Sequence, residues 1–204
     1  TLSDPAANRG AGLYFAGADL DLRDLEVSGH EAYEGAGVYA ASSASGVVNA
    51  DTVTFSGNEA SGDGGGLWSG VSLTVVSSAF DDNRSGRDGG AIFVNEAAFD
   101  IDQSSFDGNY AAADGGALEV YRAEASLRRT DFTGNRALGD GGAVHHMGVN
   151  QSGADFTIAS CDLVNNRAGD GGGVSSDASR ATVSRFNRYE GNTPNGASFA
   201  SPNS

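Results

Sequence analysis

Residues 132–144 read Phe-Thr-Gly-Asn-Arg-Ala-Leu-Gly-Asp-Gly-Gly-Ala-Val. This segment joins an aromatic residue, a polar turn that ends in Asn135, an acidic loop and a Gly-Gly-Ala run that leads into an apolar strand. Four more copies lie at residues 55–67, 80–92, 106–118 and, one residue shorter, 163–174. Partial copies lie at residues 10–13, 35–38 and 189–192. An internal repeat of this kind is a stronger indicator of fold than any local propensity.

The spacing of the repeat selects the architecture. The third small residue of each glycine run recurs every 25 to 30 residues, at Gly12, Gly37, Gly66, Ala91, Ala117, Ala143 and Gly173. A unit this short cannot bury a face of its own, so neighbouring units must stack. A leucine-rich horseshoe needs leucine at several places in each unit, and 31 glycines argue against helices. The sequence predicts an all-β fold: a right-handed, single-stranded parallel β-helix of about seven coils, with residues 1–204 as one domain of a longer surface protein.

Stacked coils align equivalent residues, because neighbouring strands lie about 4.8 Å apart. We expect an inner column of buried side chains at Phe55, Phe80, Phe106, Phe132, Leu163 and Tyr189. We expect an asparagine ladder, bonded along the axis, at Asn58, Asn83, Asn109, Asn135, Asn166 and Asn192, with His30 at the same place one coil earlier. Asparagine also tolerates the left-handed backbone that such a turn needs. Both columns are predicted to be structural.

Composition limits the partners. The chain has 27 acidic and 12 basic residues, giving a net charge of −15, and every basic residue is arginine. Such a surface repels nucleic acid and anionic lipid, so neither a nucleic-acid partner nor membrane insertion is expected. Cys161 is the sole cysteine, which excludes an intrachain disulfide, and its strand context favours a buried apolar role over a nucleophile.

A second column follows the inward apolar residue of each glycine run. This outer column comprises Tyr14, Tyr39, Trp68, Phe93, Glu119, His145 and Ser175. Strand alternation points these side chains away from the core, which predicts an exposed aromatic stripe at Tyr14, Tyr39, Trp68 and Phe93. Exposed aromatic surface is typical of a binding site for sugar rings or for a partner protein, and we expect Glu119 and His145 to extend that site. The alternative is that a flanking loop or a neighbouring domain covers the stripe as a second small core.

An acidic column precedes the glycines. It comprises Glu34, Asp63, Asp88, Asp114, Asp140 and Asp170. Stacked carboxylates repel one another unless something compensates them. Pairing with Arg84, Arg136 and Arg167, or capping of each Asp's own turn, is one answer. Calcium bound at Asp63, Asp88, Asp114, Asp140 and Asp170 is the other, because acidic oxygen-rich loops suit a hard cation. No cofactor other than calcium is expected.

The paired motifs resemble a known family. Phe80–Asn83 with Gly89–Ile92, and Phe106–Asn109 with Gly115–Leu118, are similar to the Phe-x-x-Asn and Gly-Gly-Ala-(Ile/Leu/Val) repeats of the chlamydial polymorphic outer-membrane proteins. The resemblance covers roughly residues 25–192. It implies a β-helix that is secreted or displayed on the bacterial cell surface, commonly as an adhesin.

Three classes of function follow from these observations. The leading prediction is a non-enzymatic adhesive or structural module that binds a glycan, or a protein of a host or neighbouring cell, along a lateral face. A polysaccharide lyase or hydrolase is the alternative, with candidate residues at Asp81, Asp82, Asp100, Asp102, Arg128 and Arg129. The third is end-to-end self-association into fibres through open strand edges, which the proline-containing tail 193–204 is expected to block.

Overall fold

The computed structural model describes residues 8–148, 155–177 and 183–199, and within them the chain forms 25 β-strands and no helix. Every strand pairing is parallel and joins equivalent segments of successive repeats. The chain therefore forms a β-solenoid of about seven turns, which confirms the predicted fold. No part of the described chain folds into a helix capable of crossing a bilayer.

Each turn of the solenoid passes through three sheets. The first sheet follows the glycine runs and contains β1 (Leu13–Phe15), β4 (Val38–Ala40), β7 (Leu67–Ser69), β11 (Ile92–Asn95), β15 (Leu118–Tyr121), β19 (Val144–Met147), β22 (Val174–Ser176) and β25 (Ala197–Phe199). The second sheet follows the ladder asparagines and contains β3 (Glu31–Ala32), β6 (Glu59–Ala60), β10 (Arg84–Ser85), β14 (Tyr110–Ala111) and β18 (Arg136–Ala137). Its strands are two residues long because they span only the corner between the asparagine turn and the acidic loop.

The third and largest sheet is bent. Two long strands, β2 (Leu20–Ser28) and β5 (Val48–Ser56), run through the bend. In later coils the first leg contains β8 (Leu73–Val76), β12 (Phe99–Asp102), β16 (Ala125–Arg128), β20 (Phe156–Ala159) and β23 (Val183–Arg185). The second leg contains β9 (Ala79–Asp81), β13 (Ser105–Asp107), β17 (Asp131–Thr133), β21 (Asp162–Val164) and β24 (Arg188–Glu190). The second leg carries the inner column.

The inner column is continuous, as predicted. Phe80 pairs in register with Phe55 before it and with Phe106 after it, and the ring centroids lie 4.7 Å apart on both sides. Phe106 and Phe132 follow at 4.9 Å. These four rings are at most 1% exposed, and full burial of such a side chain contributes about 2 kcal/mol. The column is the centre of the main hydrophobic core.

The asparagine ladder is also confirmed. Each side-chain amide donates to the Oδ1 of the next coil, as from Asn83 to Asn109 at 3.1 Å and from Asn109 to Asn135 at 2.9 Å. The same Oδ1 accepts the preceding coil's backbone N–H, and the second amide hydrogen reaches a backbone carbonyl, such as that of Phe80. The expectation that the ladder asparagine itself is left-handed was wrong. The positive φ belongs to the residue before it, which is Gly108 or Gly134 in regular coils and Asp82 in another.

A second ladder runs along the bend of the third sheet, and sequence reasoning missed it. The Ser78 hydroxyl accepts the N–H of Val53 at 3.0 Å, and the Ser104 hydroxyl accepts the N–H of Ser78 at 3.2 Å. Thr130 continues the series. Cys161 occupies the next position, where it is fully buried and its N–H donates to Asn187. The predicted burial of Cys161 is confirmed, and burial raises the pKa of its thiol to about 11.

The two glycines of each pair have different roles. Gly115 has a φ of 64°, a conformation that L side chains avoid. A Cβ on Gly116 would collide with the carbonyl oxygen of Gly142 in the next coil. One glycine therefore makes the corner and the other lets adjacent coils stack at strand spacing.

The first part of the tail continues the first sheet. Residues 197–199 form β25, which pairs with β22 and adds a further strand to the first sheet. Residues 200–204, with Pro202, lie outside the described residues. The tail from residue 193 therefore extends the solenoid through residue 199, and blocking of the strand edge by the rest of the tail stays a prediction.

Candidate functional site

The outer column is in register along the first sheet. Tyr14 pairs with Tyr39, which pairs with Trp68, which pairs with Phe93. The ring centroids are separated by 5.5, 4.5 and 6.2 Å, and the planes differ by no more than 15°. The four rings thus form one stack on the side of the sheet opposite the main core.

The stack is mostly covered, which corrects the prediction of an exposed stripe. Tyr39, Trp68 and Phe93 are 6–8% exposed and form a small cluster with Ala41, separate from the main core, whereas Tyr14 is 55% exposed. The Arg9 guanidinium lies 5.1 Å above the Tyr39 ring. The glycine loops also flank the stack, since a Cβ on Gly35 would lie 3.0 Å from the Trp68 Cβ. The alternative of a second small core therefore describes the middle of the column, and exposure is confined to its first ring.

The column changes from aromatic to ionisable after Phe93. Glu119 stands in register with Phe93 and His145, and its Oε2 lies 2.8 Å from the His145 Nδ1. Both side chains are buried, at 2% and 6% exposed. Burial raises the pKa of Glu119 to about 7. Burial alone would lower the pKa of His145, but the Glu119 carboxylate, together with Asp114 and Asp140, outweighs it and raises that pKa to about 9.

His146 points the other way, into the core. It pairs with Val120 and is fully buried. Its Nε2 lies 2.8 Å from the Ala123 carbonyl oxygen, and its ring stacks on Phe156 at 4.9 Å. Burial lowers its pKa. The two adjacent histidines therefore face opposite sides of the sheet and do not share a site.

The acidic column forms a hydrogen-bonded ladder. The Asp63 Oδ1 accepts the Asp88 N–H at 3.2 Å, the Asp88 Oδ1 accepts that of Asp114 at 3.0 Å, and the Asp114 Oδ1 accepts that of Asp140 at 2.7 Å. The last member, Asp170, instead accepts the N–H of Gly171 in its own turn. Three of the six carboxylates are thus compensated by the backbone of the following coil, an arrangement that the sequence did not suggest, whereas Asp170 caps its own turn as expected.

The arginines that pair with this column are not the expected ones. Arg87 lies 3.6 Å from Asp63, and Arg9 lies 2.7 Å from Glu34. Arg84 pairs instead with Glu59. Across residues 8–148, 155–177 and 183–199, no three His, Cys, Asp or Glu side chains are arranged to hold a metal ion. Calcium binding by the acidic column stays a prediction.

The candidate catalytic residues lie on the third sheet. Asp100 is exposed and lines a shallow depression with Glu124 and Arg128. Asp102 is paired with Arg129 of the next coil. Asp81 is half-buried, and its pKa is raised by burial and then by Asp107 and Asp82. Asp100 and Asp102 lie on the first leg of the bent sheet and Asp81 on the second leg, and catalysis by these residues stays a prediction.

Comparison with known proteins supports the repeat assignment. Residues 52–70, 77–95 and 129–146 match the Chlamydia polymorphic membrane protein repeat. The chain therefore carries repeats of the kind that the two motifs predicted. No curated protein and no solved structure matches the chain significantly.

Proposed function

We propose that this chain is a non-enzymatic module of a bacterial surface protein that adheres to a glycan, or to a protein of a host or neighbouring cell, along the face that carries the outer column. The solenoid provides a stiff support, and the repeat family supports display at the outer membrane or cell surface. The contact residue would be Tyr14, at the exposed end of the outer column, with the covered rings of Tyr39, Trp68 and Phe93 supporting it from behind.

The exposed ring of Tyr14 is the observation that carries this proposal. The ring is 55% exposed, yet its inner face stacks on Tyr39 at 5.5 Å. An aromatic ring held in one orientation loses little conformational freedom when a ligand binds. Its open face suits the apolar face of a sugar ring or a partner's apolar side chain. The column thus ends in a preorganised contact.

The test compares Tyr14→Ala with a matched control. Phe186 is 90% exposed and lies on the third sheet, so Phe186→Ala removes an exposed aromatic ring from a different face. The labelled protein is applied to a glycan array and to cultured epithelial cells, with and without calcium. We expect Tyr14→Ala to weaken binding about tenfold, which corresponds to 1.4 kcal/mol, and Phe186→Ala to leave it unchanged.

Two results would overturn the proposal. One is equal binding by the wild type and Tyr14→Ala, and the other is a wild type that binds neither glycans nor cells. Release of reducing or unsaturated sugars from a panel of acidic polysaccharides would contradict the non-enzymatic assignment.

A further inference from the structure

The second sheet places three arginines and a tyrosine in line at one corner of the solenoid. Arg84, Tyr110 and Arg136 are in register on β10, β14 and β18, and a parallel bridge continues the line to Arg167. All three arginines are exposed. One quarter of the chain's basic residues therefore stand on a single edge, on three of four successive coils that stack about 4.8 Å apart. We call this set the arginine corner.

Two of the guanidinium groups make cation–π contacts with the Tyr110 ring. The Arg84 guanidinium lies 4.3 Å from the centre of the Tyr110 ring, and that of Arg136 lies 5.9 Å from it. Because the two arginines belong to the coils before and after Tyr110, they lie over opposite faces of the ring. A stacked guanidinium keeps the N–H groups on its edge free, and those groups match the two oxygens of a carboxylate or sulfate.

Most of the positive charge of the arginine corner is not neutralised by a neighbouring carboxylate. Within the described part of the chain, Arg136 and Arg167 form no ion pair. Arg84 pairs with Glu59 at 3.7 Å, but both side chains are more than half exposed, and such pairs contribute little. Asp114, Asp140 and Asp170 lie further along the same loops, and the Asp114 carboxylate is engaged with the Asp140 N–H. The positive edge is therefore available to a ligand that approaches from the side of the second sheet.

We propose that the arginine corner binds the carboxylate or sulfate groups of a linear anionic polysaccharide. The three guanidinium groups follow the axis of the solenoid, so an extended polysaccharide that lies along this axis would present several of its anionic groups to them at once. The net charge of −15 opposes this binding only at short range, because the Debye length is about 8 Å at physiological ionic strength. Nucleic acid fits less well, since single strands are held largely by stacking of bases on aromatic rings, and the faces of the Tyr110 ring are occupied by guanidinium groups.

The test measures binding of the intact chain to two immobilised probes near physiological ionic strength. Heparin carries sulfates and carboxylates, whereas polygalacturonate carries carboxylates alone. We expect Arg136→Gln/Arg167→Gln to weaken binding at least tenfold to whichever probe the wild type binds, and the pattern over the two probes identifies the anion. Arg23→Gln/Arg188→Gln is the matched control, because it removes the same charge from exposed ion pairs on the third sheet. We expect it to weaken binding less than twofold.

Tyr110→Leu separates a preorganised site from simple attraction of charges. It keeps all three arginines and removes the ring between them, so a severalfold loss of affinity with an unchanged melting temperature supports the stacked arrangement. Three results would overturn the proposal: no binding to either probe, an equal loss in the two double variants, or competition by single-stranded DNA as strong as that by the polysaccharide.

Discussion

The inner and outer columns occupy the same coils but obey different rules. The inner column has Phe in four successive coils. Its rings stack at 4.7–4.9 Å and are buried, so a side chain of different size would not fit there. The outer column passes through aromatic, acidic, imidazole and hydroxyl side chains along one sheet. The first set is restricted by close packing on all sides, whereas the second needs only to stack along one line. Of these two columns, it is therefore the outer one that carries the chemical variety.

Phe106→Ala tests the inner column and should have the largest effect. The ring is 1% exposed and stacks on Phe80 and Phe132. Its neighbours are fixed by their own strand pairing and cannot collapse into the space, so we expect a loss of about 4 kcal/mol in the free energy of unfolding. Urea denaturation measures the loss, with Phe186→Ala as a control expected to change stability by no more than about 0.5 kcal/mol. A loss below 1 kcal/mol for Phe106→Ala would mean that the column does not maintain the fold.

Trp68→Ala tests the outer column and should cost less. The ring lies between Tyr39 and Phe93 but belongs to a small cluster at the edge of the protein. Water and the flanking loop can partly fill the space, so we expect a loss of about 2 kcal/mol. The same urea titration compares it with Phe106→Ala. Equal losses would contradict the distinction between the two columns, and no loss would restore the idea of a freely exposed stripe.

The features that sequence alone predicted are those that recur as one residue type. The inner column and the asparagine ladder are identical or nearly so in every full repeat, and both were found in register. The second ladder was readable in principle, because Ser78, Ser104 and Thr130 stand two residues before each phenylalanine of the inner column. Its members were missed because they alternate between serine, threonine, cysteine and asparagine.

Two other features of the fold, the bend of the third sheet and the burial of the outer column, do not recur as one residue type and could not be predicted from the repeat. The bend of the third sheet is made by a left-handed residue in each coil, namely Asp24, Thr52, Ser77, Gln103, Arg129, Ser160 and Phe186. Strand alternation correctly assigned the outer column to the side away from the core, but alternation cannot tell whether a loop covers that side. Burial of Tyr39 and Trp68 depends on Arg9 and on the glycine loops, and these contacts arise only when the coils are stacked.

The Glu119–His145 pair should make the outer column sensitive to pH. The pKa of Glu119 is raised to about 7 from 4.5, and that of His145 to about 9 from 6.5. In both cases the folded state binds the proton more tightly than the unfolded state, so the stability that this pair contributes is greatest at low pH and is lost as pH rises through about 7 and then 9. Asp88, Asp114 and Asp140 contribute to this by favouring the protonated forms.

Urea denaturation at pH values from 6 to 9 would measure this effect in the wild type and in Glu119→Gln/His145→Gln. The variant keeps hydrogen-bonding side chains at both positions but removes their titration. We expect the free energy of unfolding of the wild type to fall by about 1 kcal/mol or more relative to the variant across this range, since one pKa unit corresponds to 1.36 kcal/mol. His146 and Asp63 have altered pKa values in both proteins, so their contributions cancel in the comparison. Parallel curves would show that the pair does not titrate between pH 6 and 9, and the outer column would then be as insensitive to pH as the inner one.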